Sequence, residues 1–225
     1  MNKKKSSLLL LGKQDDPYVE SALRFCQRNF TEVTAYLGRW GDKLPEDWKK
    51  WEGDYVISYL SLWVVPEHLL KKAKVAAFNF HPASPDYPGI GCNNFALYED
   101  AKEYGVTCHH MAPRVDTGAI IAVKRFPVFA TDDVASLLLR TYAHQLVLFY
   151  EIMSLIIEGR ELPVSEEQWT RKPFSRTEFN QLGRITSEMT KEEIARRVRA
   201  VAYGPWKPTI EVQGFVFELK TEDGE

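Results

Sequence analysis

Short apolar runs recur at residues 7–11, 32–36, 54–58 and 75–80, and a helical pattern fills residues 17–29 between the first two. Runs this short with apolar side chains on both faces make buried strands, and strands separated by helical crossovers pair in parallel. An α/β architecture follows, with a mostly parallel twisted sheet and helices on both faces. In such sheets ligands gather outside the carboxyl ends of the strands, so the residues just beyond each run are the first candidates for function.

The same pattern continues past residue 80. Residues 93–104 predict a helix closed by Gly105, residues 106–111 a strand, residues 113–118 a turn, and residues 119–128 another strand. Thr131-Asp132-Asp133 opens a long apolar-periodic helix that runs to Gly159. A core over residues 1–160 is expected there, followed by a C-terminal extension over residues 161–225 packed on it. The extension predicts a loop or short strand at 162–174, a helix at 190–202 started by Thr190 with Glu193 three positions on, and a hairpin at 208–219 turning at Gln213-Gly214.

A formal net charge of −2 provides no general attraction for polyanions, so neither nucleic acid nor an anionic membrane is an expected partner. Lys3, Lys4 and Lys5 precede the apolar run at 8–11, but Lys13, Asp15 and Asp16 break that run too early for a signal peptide. Arg140, His144, Gln145 and Glu151 interrupt the apolar segment 134–157, which reads as a core helix rather than a membrane span. Cys26, Cys92 and Cys108 are scattered thiols without a C-x-x-C pair, pointing to a reducing cytoplasm and to no structural zinc. The aromatic content points to a homodimer.

Asn79-Phe80-His81-Pro82 lies at the end of the run 75–80, and Pro82, Pro85, Pro88 and Gly89 then enforce irregular backbone. Val115-Asp116-Thr117-Gly118 is the next turn in which a carboxylate precedes a strand. An amide donates a hydrogen bond without charge, an imidazole moves a proton near neutral pH, and a carboxylate orients that imidazole. Together they suit acyl transfer to an amine. Each residue alone has an ordinary structural role, Asn79 and Asp116 as turn formers and His81 as a satisfied core residue. His109 and His110 alternate across a strand, which argues against a metal pair while leaving one of them free to line a pocket.

Taken in order, Asn79-x-His81-Pro82, Gly105-Val106-Thr107 and Asp116-Thr117-Gly118-Ala119-Ile120-Ile121 resemble the signature of the folate-dependent formyltransferases, over residues 75–129 in particular. The resemblance implies a Rossmann-like fold, 10-formyltetrahydrofolate as co-substrate, no metal, and Asn79, His81 and Asp116 as the catalytic trio. In that chemistry Asn79 donates to the developing oxyanion, while His81 acts either as the base or as a second oxyanion donor. Asp116 fixes the imidazole or relays protons through water. By the same resemblance Leu60, Trp63, Val64, Val115 and Thr117 wall the folate, with Trp63 either stacking on the pterin or filling core.

Departures from the family's subgroups bear on the acceptor. Glycinamide ribonucleotide formyltransferases carry a Gly-Ser-rich phosphate loop after the first strand, whereas this chain reads Leu11-Gly12-Lys13-Gln14-Asp15-Asp16-Pro17. Methionyl-tRNA formyltransferases carry a substantial basic C-terminal domain, for which this chain is too short and too acidic. The chain is most similar to the nucleotide-sugar N-formyltransferases, which implies a nucleotide-linked, dTDP-type amino-dideoxy sugar as substrate. Tyr87, Arg114, Trp206 and Lys207 are the candidate substrate-binding residues. Trp206 sits between Pro205 and Pro208 as a stacking platform or as filler between helix and hairpin. The loop Pro82-Ala83-Ser84-Pro85-Asp86-Tyr87-Pro88 is one residue shorter than the family's usual Leu-Leu-Pro form. Two competing expectations are another small amine as acceptor, such as glycinamide ribonucleotide, and a non-catalytic folate- or nucleotide-binding domain.

Overall fold

The computed structural model describes residues 3–220; the outermost residues of the expected core and extension, 1–2 and 221–225, lie outside it. Its first strand, β1 (Lys4–Lys13), explains the architecture. Leu8 and Leu10 point into one apolar cluster and Leu9 and Leu11 into another. A strand with four successive buried leucines is stable only when both faces of its sheet are covered.

That sheet has six strands in the order β2-β1-β3-β4-β5-β6. Strands β2 (Phe30–Gly38), β3 (Gly53–Tyr59) and β4 (Ala73–His81) run parallel with β1, and β5 (Glu103–His110) and β6 (Ile120–Pro127) reverse direction in turn. The fold is therefore the mainly parallel, Rossmann-like α/β sheet expected from the runs. Helix α1 (Pro17–Asn29) begins where Asp16 accepts from the Tyr18 and Val19 amides at 3.0 and 3.3 Å, and it buries Val19, Ala22 and Cys26. The short helix α2 (Glu67–Leu70) precedes β4, placing Leu69 in the second cluster with Trp48, Trp51 and Val56.

Helix α3 (Cys92–Tyr98) is shorter than the expected helix at 93–104. Asp100 has a left-handed φ of 50°, which ends the helix. The chain enters β5 at Glu103, so Tyr104 and Gly105 are strand residues rather than a helix end and its stop. Helix α4 (Val134–Glu158) has Asp133 in a capping box with Ser136 and ends at a left-handed Gly159, as its sequence predicts.

Beyond α4 the chain crosses the core as a loop, then forms α5 (Arg176–Leu182), β7 (Arg184–Ile185), α6 (Lys191–Val201) and the hairpin of β8 (Thr209–Val212) and β9 (Phe215–Glu218). The hairpin turns at Gln213-Gly214 with positive φ at both residues, and β7 joins it to make a three-stranded sheet. Helix α5 and strand β7 were not legible in the sequence, because seven and two residues are too few for a period to register. Thr190 caps α6 by accepting from the Glu193 amide at 3.2 Å. Asn94 of α3 donates to the Ala200 carbonyl of α6 at 2.6 Å, tying this segment to the sheet.

Phe149 of α4 is fully buried against Tyr59 and Phe80, at ring separations of 5.2 and 5.1 Å. Phe149→Ala is expected to lower the unfolding free energy in denaturant titration by about 3–5 kcal/mol. Val164→Ala, at an 87% exposed position, should change it by less than about 0.5 kcal/mol.

Candidate active site

Strand alternation buries Phe80 between Asn79 and His81 and leaves those two side chains on the same face. Gln145 of α4 fixes this strand end by donating from Nε2 to the Phe80 carbonyl at 2.5 Å. The Pro-rich loop that follows is fastened from β5: Tyr104 donates to the Pro82 carbonyl at 2.9 Å and Thr107 to the Ala83 carbonyl at 2.7 Å. At Gly89 φ is 93°, and a Cβ there would lie 2.4 Å from the Phe174 carbonyl oxygen, so only glycine fits.

Asp116 arrives from the turn between β5 and β6 with φ of 48°, a left-handed conformation that Asp tolerates better than most residues. Two residues on, a Cβ at Gly118 would meet the His110 carbonyl oxygen at 1.7 Å, which shows how closely this turn lies on β5. The Gly89 amide donates to Asp116 Oδ2 at 2.8 Å, and His81 Nδ1 lies 3.4 Å from the same oxygen. His109 Nε2 lies 3.3 Å from Oδ1.

The imidazoles have defined protons. A carbonyl only accepts, so His81 Nε2, 3.1 Å from the Tyr87 carbonyl oxygen, carries hydrogen and donates to it. A neutral His81 then has its lone pair on Nδ1, and a proton taken up there would face Asp116 Oδ2. By the same reasoning His109 Nδ1 donates to the His110 carbonyl at 2.8 Å, leaving Nε2 toward the site. That atom is 3.2 Å from Asn79 Nδ2. Neutral, it accepts from the Asn79 amide; protonated, it donates to Asp116.

His109 was not singled out as a site residue from the sequence. It stands directly opposite Asn79 in the antiparallel β4–β5 pair, a register that no local motif reveals. Only the alternation of His109 and His110 was readable, not which of the two faces inward. Trp169, from the loop beyond α4, was also missed; it donates from Nε1 to the Gly118 carbonyl at 2.8 Å and sets its ring edge-on to His109 and His81 at 5.0 and 5.8 Å.

Asn79, His81 and Asp116 line one cavity of about 590 Å³ at the carboxyl ends of the parallel strands. Leu60, Trp63, Val64, Val115 and Arg114 line it too. Thr117 does not: its hydroxyl donates to the Arg114 carbonyl at 2.9 Å and closes the turn. Tyr87 is buried behind the cavity against Tyr104, contributing its backbone carbonyl to His81. Trp206 and Lys207 are outside the lining, Trp206 packing on Phe179 and on Arg176, which does line it. At the other boundary Asp16 occupies the start of α1, where a phosphate loop would have left free amides.

Burial pushes the thiols of Cys92 and Cys108 up, which leaves neither as a thiolate nucleophile near neutral pH. Among the described residues no cluster of three or more His, Cys, Asp or Glu side chains is disposed to hold a metal ion. The reactive surface is thus one amide, two imidazoles and one carboxylate.

Burial alone would raise the Asp116 carboxyl, but the His81 charge, the hydrogen bond and charge of His109, and the Gly89 amide hold it down at about 2, against an ordinary 3.8. A carboxyl depressed on folding contributes stability that is complete above its unfolded value and is lost as pH falls through the folded one. Between pH 5 and 2 the protein should therefore lose about 2 kcal/mol of unfolding free energy that Asp116→Asn does not lose, a difference measurable by denaturant titration across that range.

Comparison with known proteins accords with this geometry. A methionyl-tRNA formyltransferase from Enterococcus faecalis is 31% identical over 145 residues, which make up 63% of this chain and 45% of that protein. The chain thus spans about half the length of the curated relatives it matches. A 4-N formyltransferase from Francisella tularensis shares the fold with a TM-score of 0.76 at 15% identity, covering 98% of each chain. An N-formyltransferase from Helicobacter canadensis, solved with folinic acid and dTDP-3-aminofucose, has a TM-score of 0.72 at 20% identity, covering 92% of this chain and 84% of its own. The family model described as "Formyl transferase" matches residues 32–151, more than half of the sequence, and this protein belongs to that family.

Proposed function

We propose that the protein is an N-formyltransferase that moves a formyl group from 10-formyltetrahydrofolate to the amine of a nucleotide-linked amino-dideoxy sugar of the dTDP type. The observation that carries this reading is the convergence of Asn79, His81 and Asp116 on one cavity. The likeness to sugar N-formyltransferases over nearly the whole of both chains supports the acceptor class.

The cavity suits the co-substrate: Leu60, Trp63, Val65, Met111 and Val115 offer an apolar flank for a flat pterin. Bound there, 10-formyltetrahydrofolate supplies an electrophilic formyl carbon and, in N10, the leaving nitrogen. Asn79 Nδ2 is the donor for the oxygen that becomes negative when the acceptor amine attacks. His81 takes the amine proton at Nδ1, where Asp116 Oδ2 balances the new charge, and the proton passes to N10 as the bond from N10 to the formyl carbon breaks. His109 Nε2 lies between the two partners, accepting from the Asn79 amide when neutral and donating to the second Asp116 oxygen when protonated. No covalent enzyme intermediate is needed, because the positioned amine is itself the nucleophile.

In this scheme residues 1–160 are the catalytic core and residues 161–225 complete the acceptor side, with Trp169 as the wall behind both imidazoles. Glycinamide ribonucleotide as the acceptor loses support at α1, whose first amides are taken by Asp16. Three free, buried cysteines support a cytoplasmic location, and among the described residues no helix is long and apolar enough to cross a membrane.

Incubation with 10-formyltetrahydrofolate and a panel of nucleotide-linked amino sugars should release tetrahydrofolate with at least one of them. Asn79→Ala should lower kcat by roughly 100- to 1,000-fold, and His81→Asn and Asp116→Asn should each suppress turnover. Unchanged rates in all three variants, or turnover with glycinamide ribonucleotide alone, would sink the proposal.

We also propose self-association through β9, an edge strand with Phe215, Val216 and Phe217 at 71%, 65% and 57% exposure. Sedimentation should show a dimer that Phe217→Asp converts to monomer.

A further inference from the structure

Arg176 opens α5 and lines the cavity. Its guanidinium carbon lies 5.1 Å from the ring centroid of Trp40, 5.0 Å from that of Trp206 and 5.4 Å from that of Phe179. Phe179 meets Trp206 edge to face at 5.3 Å, so the rings brace one another as well as the cation. They come from distant parts of the chain: the loop after β2, α5 itself, and the turn between α6 and β8.

A guanidinium held over aromatic faces keeps its charge and its in-plane N–H donors. Arg125, Arg140, Arg171 and Arg199 each engage a carboxylate. Arg176 does not: among the described residues it has neither an ion pair nor a hydrogen-bond acceptor. Its donors remain available at the cavity.

Cations outnumber carboxylates in the lining. Lys13, which is paired with Asp16, Arg114 and Arg176 are its cationic side chains, and among the described residues Asp116 is its one carboxylate, already engaged by the Gly89 amide and flanked by both imidazoles. A dianion is favoured there. Trp40 is 69% exposed and Trp206, packed on Phe179, still 41%, so both indoles keep surface open to water beside an unpaired fork of donors. Inorganic phosphate would use the fork and leave the indoles wet; a free base would do the reverse. A ligand that carries both a planar ring and a diphosphate satisfies both features.

We infer that Arg176, Trp40 and Trp206 form a subsite for the nucleoside diphosphate half of the acceptor, with the guanidinium edge on the diphosphate and the base stacked on an exposed indole. This rests on the reading of the acceptor as a nucleotide-linked sugar. It adds Arg176 and Trp40 as the residues that discriminate such an acceptor from a simple amine.

Binding of dTDP to the full chain, followed by calorimetry, tests the subsite without any turnover. Arg176→Gln should weaken dTDP roughly 10- to 100-fold, as expected for loss of charge-assisted hydrogen bonds, and Arg176→Lys should recover only part of that loss. Trp40→Ala should weaken dTDP and leave the affinity for inorganic pyrophosphate unchanged. Folinic acid should bind all variants as it binds the wild type, which also certifies their folding. Wild-type dTDP affinity in both Arg176→Gln and Trp40→Ala overturns the subsite while leaving the acceptor reading intact. Weakened folinic acid binding in a folded variant overturns it by assigning the cluster to the folate. A wild-type protein that binds no dTDP yet formylates an amine without a nucleotide overturns both the subsite and the acceptor reading.

Discussion

The Asp116 carboxylate is the point at which the separate parts of the site are joined. One oxygen takes the Gly89 amide and faces His81, and the other faces His109. The end of β4, the Pro-rich loop, β5 and the Asp-Thr-Gly turn are thereby referred to a single charged group. A carboxylate this deeply buried persists as an anion only where such partners surround it. Both the left-handed φ of Asp116 and the close approach of Gly118 to β5 serve to deliver it there.

Around that centre the core acts as a rigid frame. Phe80 lies between two site residues yet belongs to the aromatic cluster of Tyr59, Phe78 and Phe149, and Gln145 bonds its carbonyl from the opposite side. A shift of the Asn79-His81 segment would therefore disturb this buried aromatic cluster. Preorganised donors act at full strength because no reorganisation is needed when charge develops.

The sequence disclosed the features that are local in the chain. Four consecutive leucines, the Asp133 and Gly159 helix limits, the hairpin turn at Gln213-Gly214 and the Asn-x-His and Asp-Thr-Gly motifs all follow from neighbouring residues. What stayed hidden is what tertiary pairing creates. His109 gains its role from the cross-strand register with Asn79, Trp169 from a loop that folds back over the site, and Arg176 from three rings that meet only in the folded chain. The helix expected at 93–104 failed for a related reason. Its last residues, Glu99 to Tyr104, are mostly good helix formers, but a left-handed Asp100 stops the helix and pairing with β4 and β6 takes Glu103 onward into β5.

The bond from Gly89 to Asp116 is made by a backbone amide. Asp116 thus depends on the backbone shape of the loop, and among the described residues no side chain at positions 82–88 bonds to it. Such a connection is indifferent to side-chain identity: the loop can exchange its side chains while the buried carboxylate keeps its anchor.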